Sequence, residues 1–526
     1  MKAFQRLSTR LMTLALAAAA SLVALGTANA VVIANVTGGF KGTTQVDVCA
    51  LNQCFRPPDT MGAVGTTQFL ETTNGANTVY DKNTGAILSR KSMTQWWADI
   101  GLPRGAFGDQ RVLFDHYTNR WMAIGFGNEN GTFSGNTLNI AVSSTNNAMG
   151  AWQTTKIIGA SVGIPATVLD YPTLAMDDKG VYIGTNNFNV SNDLYTGSSM
   201  FVIPKASLFG GAPNLASMTV LNVTASGGNT PQAALNWAGN PGNTAAVMTD
   251  SNVFNAQAFF VLNGVNAPGA TQSPKVEIAG TGYNTPVGDG RQPDGSRKVD
   301  TLSPRITANA VQYNGRVYST HTVRSTVGDF AEVRWNVVDA VTGALLSQGQ
   351  IGGGGFDYYQ GSIAINEFGE AVIGYNRSGF AKGDGNGDGL DDGNISFMAR
   401  AFTVGGGGGL VQVGGEMLLK ASLVSDYHCD NRANPAPCPE RWGDYAAVSI
   451  DPTDHHDFFA IGEYAEDWAT LPNTGGLVRA NWATYIAEIE FGNVDPPPGG
   501  VPEPAPLALL VISLLAWRST RRTQAH

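Results

Sequence analysis

One unit recurs along the chain: a polar turn carrying Gly or Asn, then an aromatic or apolar run with period-2 alternation, then a small residue. Its copies read "VGTTQFLETTN" from Val64, "DHYTNRWMAIGFGN" from Asp115, "MDDKGVYIGTNNF" from Met176, "QYNGRVYSTHTV" from Gln312, "NEFGEAVIGYNRSG" from Asn366 and "DPTDHHDFFAIGEY" from Asp451. The turns fall roughly 50 to 70 residues apart; one gap of about twice that size holds a weaker copy, "GNPGNTAAVMTDSNVF". A strand-rich repeat of this length cannot bury both of its faces alone. Neighbours must cover them, and closing the row into a ring leaves no long edge open. The pattern predicts an all-β fold, a six- or seven-bladed β-propeller with long loops over residues 55–491. Tandem β-sandwiches are the alternative.

Composition agrees. Charged residues make up 14% of the chain and glycine occurs 65 times, against about 25% charged in an average soluble domain. Lys is scarce, while Asn, Thr, Val and Ala are common. This suits an extracellular β protein with many turns and argues against a helical enzyme. The net charge of −10 disfavours nucleic acid or an anionic membrane as partner.

The two ends read as addresses. Lys2, Arg6 and Arg10 precede an apolar run from Leu11 to Leu25, and Ala28-Asn29-Ala30 offers small residues for cleavage before Val31. Residues 1–30 are therefore expected to be a signal peptide; as an uncleaved helix the run is short of the ~20 residues that span a bilayer. Residues 31–54 read as an N-terminal extension and 492–501 as a Pro/Gly linker. Leu507 to Trp517 is again apolar and short, and Arg518, Arg521 and Arg522 follow it. Positive charge beside an apolar segment stays cytoplasmic, so 502–526 reads as a hydrophobic stop-transfer element. An ordinary membrane anchor is the alternative.

Pro502-Glu503-Pro504 ahead of that segment resembles the PEP-CTERM sorting signal of Gram-negative, biofilm-forming bacteria. The resemblance covers only about the last 25 residues. It implies an exosortase and the export machinery as partners, transient anchoring at the inner membrane, cleavage near the tripeptide, and a final place at the cell surface or outside the cell. A second resemblance is "STNNAMGAWQT", Ser144 to Thr154. It is similar to a degraded Asp-box turn of sialidase-like propellers, with Asn where Asp is expected and with altered spacing. It bears on fold alone.

Four cysteines form two local pairs, Cys49 with Cys54 and Cys429 with Cys438. An even number in an exported chain points to disulfides. Local pairing is the simplest of the three connectivities, and a long-range clasp is the next choice. Neither pair has a second Cys/His pair near it at zinc spacing.

Three groups of residues are candidates for chemistry. "DGNGDGLDD" sets Asp384, Asn386, Asp388 and Asp392 around a tight Gly turn, with the Leu390 carbonyl between them. Alternating oxygens of this kind wrap a hard cation, so Ca²⁺ is the expected cofactor. The loop resembles those of EF-hands and thrombospondin type 3 repeats, but Ile395 stands where an EF-hand has its bidentate Glu. An acidic loop without metal is the alternative. The second group is "RWGDYAAVSID" from Arg441, followed after one turn by "GEYAEDW" from Gly462. The third is a set of single Asp and Arg residues set before strands: Asp59, Asp109, Arg111, Asp170 and Arg305. A propeller brings equivalent positions of all blades to one face, so these residues could converge with Arg441, Asp444 and Glu463. Sialidases use such a face, with an Arg cluster, a Tyr–Glu pair and an Asp acid; Tyr445 and Glu463 would be the formal analogues. Inter-blade ion pairs and Asx-turns give the same pattern without chemistry.

No G-x-S-x-G, H-E-x-x-H or Walker loop occurs, and six His residues do not compose a triad. The expectation from sequence is an exported binding or structural propeller of the cell envelope or extracellular matrix, associated with exopolysaccharide; no set of residues at catalytic spacing marks it as an enzyme. A sialidase-like glycoside hydrolase is the alternative. A solvent-open cluster of Arg and carboxylates at the channel mouth would favour the enzyme. Charges fully paired between blades would favour the scaffold.

Overall fold

The computed structural model describes residues 31–494 other than 103–105, 129–135, 166, 224–227, 240–241, 250–256, 279–288, 294, 296–298, 303, 386, 388, 426–440 and 477. The expected signal peptide, the sorting segment, Asn386, Asp388, Cys429 and Cys438 lie outside the described residues. Residues Ala34–Phe491 form one compact unit.

The unit is built from antiparallel meanders. The first runs through Met61–Val64, Gln68–Thr73, Ala76–Asp81 and Ile87–Ser92. The second uses Ala106–Asp115, Arg120–Asn128, Asn136–Ser143 and Trp152–Ile158, and the third Thr167–Met176, Gly180–Asn189, Tyr195–Pro204 and Thr219–Asn222. A fourth starts with Asn229–Asn236, Asn243–Thr249 and Gln257–Asn263, and ends in the short pieces Thr271–Gln272 and Val276–Glu277. The fifth holds Ala310–Tyr313, Arg316–Arg324, Ala331–Asp339 and Leu345–Ile351; the sixth Phe356–Ile365, Glu370–Gly379, Ser396–Val404 and Leu410–Ala421. In the seventh, Ala447–Ile450, Asp457–Thr470 and Val478–Val494 are completed by the N-terminal strand Val31–Thr44. The fourth and fifth merge into one sheet through a short parallel pairing, Ala234 opposite Ala310.

The first strand of each meander packs against the first strand of the next, and the seventh returns to the first. The fold is propeller-like, as the repeat predicts, and the tandem-sandwich alternative does not fit this cyclic order. Each sequence repeat is the first hairpin of a meander: its turn joins the inner strand to the second strand. The segment Ser144 to Thr154 is the connection between the third and fourth strands of the second meander, where Trp121 and Trp152 donate to the carbonyls of Asn146 and Ala148. Cores form between meanders: Leu113, Met122, Ile140, Leu174, Ile183 and Phe201 belong to one cluster shared by the second and third.

Residues 31–54 are not a mere extension. The strand Val31–Thr44 closes the ring, and a buried carboxylate fastens it. Glu71, in the first meander, accepts from Thr43 N at 3.2 Å, Thr43 Oγ1 at 2.6 Å and the Tyr80 hydroxyl at 2.6 Å, and also from Thr484 Oγ1. It thereby joins the first meander to both chain ends of the seventh. After Thr44 the chain enters a short helix, Gln45–Ala50, capped reciprocally by Thr44 and Asp47. Its Cys49 is disulfide-bonded to Cys54, as expected from the local spacing.

Two buried ion pairs also bridge meanders: Lys82–Asp451 at 2.5 Å and Lys205–Asp115 at 2.6 Å. Among the described residues no helix is long and apolar enough to cross a membrane.

Candidate functional site

The inner strands share a local irregularity that the repeat pattern did not reveal. Where they begin, one residue adopts a left-handed backbone: Asp59 (φ 48°), Asp109 (54°), Tyr171 (50°), Thr230 (52°) and Gln360 (56°). At the last four the register slips, as in a β-bulge. Asp tolerates this region; Tyr, Gln and above all β-branched Thr do so at a cost of about 1–3 kcal/mol. The neighbouring meander offsets that cost. The amide of Asp109 donates to Asn74 Oδ1 (3.0 Å), that of Thr230 to Asn186 Oδ1 (2.7 Å) and that of Gln360 to Thr322 Oγ1 (3.0 Å). The carbonyl of the following residue accepts from the previous meander too: Pro172 from Arg111 Nε (2.8 Å) and Pro231 from Thr173 Oγ1 (2.6 Å). Bulges re-aim side chains, and those of Asp59, Asp109 and Tyr171 enter one cluster.

The structure brings together most of the residues expected to converge. Asp59, Asp109 and Asp170 gather around Asp444, close enough for its charge to raise the pKa of each of the three. Asp59 is pushed well above the carboxylate range by burial, then by the charges of Asp444 and Asp109. Asp109 is pushed up to about 7 by burial, then by Asp170 and Asp444, while Tyr445 and Arg111 pull the other way. Asp170 is raised by burial and by Asp444, against Arg305 and Arg441. A chain of short bonds orders the group. Asp59 accepts from the Asp444 amide at 2.9 Å and from Asn74 Nδ2 at 2.6 Å, and Asn74 in turn holds the Asp109 amide.

Two tyrosines and three arginines frame these carboxyls. Tyr445 donates to Asp109 Oδ2 at 2.8 Å, and Tyr171 donates to the Asp444 carbonyl at 3.0 Å. The Arg111 guanidinium lies 3.6 Å from the Tyr445 ring centroid and is only 2% exposed. Its Nη1 donates to the Thr307 carbonyl, ahead of the fifth meander, at 3.4 Å. Its Nη2 is buried without a hydrogen-bond partner among the described residues. Arg305 lies 5.4 Å from the Tyr171 ring, and Arg441 pairs with Asp444 at 2.9 Å. Burial works against the Arg441 charge, but Asp444 and Asp59 outweigh it and hold its pKa above the usual arginine value. Arg441 is exposed, and Asp170 and Arg305 are partly so; the cluster therefore meets solvent.

The expected Tyr445–Glu463 pairing is replaced by Tyr445–Asp109. Glu463 is buried beside Gly443, where a Cβ would stand 2.6 Å from its Oε1. Asn74 and Tyr171 belong to the cluster and were not singled out from sequence. The signal for Tyr171 was its offset, one residue after Asp170 and at the same strand position as Asp59 and Asp109.

The acidic loop stands apart from this cluster. Its described carboxylates accept backbone amides: Asp384 from Gly389 (2.8 Å), Asp391 from Gly383 (2.7 Å) and Asp392 from Gly385 (2.9 Å). Asn386 and Asp388 lie outside the described residues. Among the described residues no group of three His, Cys, Asp or Glu is disposed to hold a metal ion.

No family model matches the sequence, and no curated protein matches it. Among solved structures, a protein of unknown function from Dyadobacter fermentans DSM 18053 is similar over 88% of this chain and 98% of its own, with 10% identity and a TM-score of 0.35. A Penicillium chrysogenum alpha-L-arabinanase complexed with arabinobiose covers 82% of this chain and 94% of its own, at 10% identity and a TM-score of 0.34. A Trypanosoma rangeli sialidase in complex with 2,3-difluorosialic acid covers 77% of this chain and 55% of its own, at 10% identity and a TM-score of 0.35.

Proposed function

We propose that the seven meanders are the seven blades of a β-propeller and that the carboxyl cluster at one mouth hydrolyses glycosidic bonds. One observation carries this reading. Four carboxyl groups from four inner-strand starts lie within electrostatic reach of one another beside the exposed Arg441, and Asp109 among them is pushed up to about 7. Ion pairs that only hold blades together look different: Lys82–Asp451 and Lys205–Asp115 are one-to-one and buried. At the mouth the carboxyls repel one another, and that arrangement costs stability.

Glycoside hydrolysis needs a protonated carboxyl to give the leaving oxygen a proton, and a second carboxylate on the other face of the sugar. Asp109 is the acid, because burial and its neighbours keep it protonated up to neutral pH. Asp170, the partly exposed member, is the second carboxylate. Tyr445 holds Asp109 and Arg111 holds Tyr445. Arg305 and Arg441, near solvent, orient an oxygen-rich substrate. Candidate catalytic residues are thus Asp109 and Asp170, with Arg111, Arg305, Arg441, Asp444 and Tyr445 positioning them; Glu463 has no role in this reading.

The substrate class is an extracellular glycan such as exopolysaccharide. The rest of the reading stands on sequence. The chain is exported, held at the inner membrane by 502–526, and released outward by an exosortase. Calcium at 384–392 rests on the spacing of the motif. Mass spectrometry of secreted protein tests the processing: an N-terminus near Val31 and loss of the segment after Pro504 are expected, and Trp517 retained outside the cell contradicts it. Release of reducing ends from exopolysaccharide tests the activity. Turnover lost in Asp170→Asn with the melting curve unchanged supports hydrolysis. Binding of the same polysaccharide without turnover favours the binding protein instead.

A further inference from the structure

The channel has a second feature, toward the C-terminal ends of the inner strands. A cavity of about 80 Å³ lies there, walled by side chains from all seven meanders, among them Leu113, Met176, Leu235, Val311, Ile365 and Val448. It begins where the carboxyl cluster ends: Leu113 follows Arg111 by two residues on the same strand. At its other end three rings from three different meanders meet. His116 stacks on Trp237 (centroids 3.7 Å, interplanar angle 16°), and Trp237 meets His455 edge-on at 5.3 Å. Tyr117 locks this cap by donating to the Asn236 and Trp237 carbonyls at 2.9 and 2.7 Å. Burial pushes His116 down to about 4, so the cap carries no charge on that ring at neutral pH.

The polar atoms of the wall are mostly committed. Asp115 is paired with Lys205 at 2.6 Å, His116 Nε2 is bonded to the Trp237 carbonyl at 3.1 Å, and Ser449 Oγ is bonded to the Val64 amide at 3.3 Å. Two amides are exceptions: Asn236, whose Oδ1 accepts from the Ala238 amide at 3.2 Å while its Nδ2 has no partner among the described residues, and Asn309. The Asn309 side chain is 5% exposed, lines the cavity, and has no hydrogen-bond partner among the described residues. A buried amide left unpaired is costly, and native proteins rarely tolerate one without a water or ligand to meet it. A water on this volume measure needs about 10–15 Å³ and two to four polar partners. The space is several times larger, and its walls are apolar.

We propose that this chamber binds a small neutral molecule with an apolar body and one hydrogen-bonding group, the group meeting Asn309 and the body filling the space under the His116–Trp237–His455 cap. This is the composition of small-molecule sites in general: apolar walls with a few placed polar atoms. The site is separate from the carboxyl cluster, and its existence does not depend on hydrolysis.

Phenol and benzene serve as probes, titrated calorimetrically into the purified chain. Phenol is expected to bind one to one and more tightly than benzene. Asn309→Leu should weaken phenol by about fivefold to tenfold, the worth of one hydrogen bond, and leave benzene unchanged or stronger. Ala364→Phe, which fills the chamber, should abolish both. No saturable heat with phenol, or phenol binding unmoved by both substitutions, overturns the proposal. Should Ala364→Phe fail to fold, a crystal soaked in 4-iodophenol decides: iodine density in the chamber supports the site, and ordered water alone refutes it.

Discussion

The Tyr445 hydroxyl donates a 2.8 Å hydrogen bond to Asp109, reaching from the seventh meander to the second past the first. The bond favours the ionised carboxyl and so lowers the Asp109 pKa, which burial and neighbouring carboxylates have raised to about 7. Tyr445→Phe removes it. With Asp109 as the general acid, activity falls as pH rises through its pKa. The alkaline limb of kcat/KM should therefore move to higher pH in Tyr445→Phe. A profile that keeps its limb in place would take Asp109 out of the acid role.

The same shift bears on stability. The Asp109 pKa in the folded protein lies above its ordinary 3.8, so the folded state binds the extra proton. Stability from this group is complete below about pH 4 and is lost as pH rises toward 7. Asp109→Asn should then raise the melting temperature at pH 8 and change it little at pH 4. The expected gain is on the order of a few kcal/mol at the higher pH. Thermal scans at the two pH values measure it.

Ring closure makes a separate prediction. Glu71 is buried and serves Thr43, Tyr80 and Thr484 together. Glu71→Ala strands several donors away from water, at about 1–3 kcal/mol for each left unsatisfied. Urea unfolding should show a lower midpoint by an amount equal to about 3 kcal/mol or more. Glu71→Gln keeps an acceptor and should lose less.

Lys205 and Asp115 form the ion pair between the third and second meanders. Breaking one side leaves a buried charge, so Lys205→Met should cost about 3–5 kcal/mol. The double variant Lys205→Met, Asp115→Leu should recover most of that loss. Equal losses in single and double variants would show that the pair's value lies in the Lys205 bond to the Asp177 carbonyl.

Much of this architecture was legible in the sequence, for a physical reason. A turn of polar residues followed by a buried second strand repeats at each first hairpin, so "MDDKGVYIGTNNF" and its relatives mark the meanders one by one, and the weaker copy marks the fourth. Asp59, Asp109, Arg111, Asp170, Arg305, Arg441 and Asp444 were foreseeable because residues at equivalent strand starts must converge in a ring. What sequence could not give is the bulge. Whether Tyr445 faces Asp109 or Glu463 depends on backbone turns such as φ 54° at Asp109, and no local preference of Asp or Tyr decides that. The strand at Val31–Thr44 looks like an extension in the sequence because its partner, Val478–Val494, lies more than 400 residues away. The chamber leaves no mark in the sequence, because Asn309 is like any other Asn until the fold surrounds it with apolar side chains.

The central claim is that the carboxyl cluster is catalytic, and Asp109→Asn tests it most directly. Asparagine keeps the shape and an acceptor for Tyr445 but has no proton to give. Reducing-end release from extracellular polysaccharide, and aryl glycoside cleavage, would be measured for the wild type and this variant side by side. The account predicts measurable turnover in the wild type and a loss of about 10²–10⁴-fold in Asp109→Asn, with the fold intact. Turnover unchanged by the substitution, or a wild-type protein that cleaves no glycan while binding one, would contradict it.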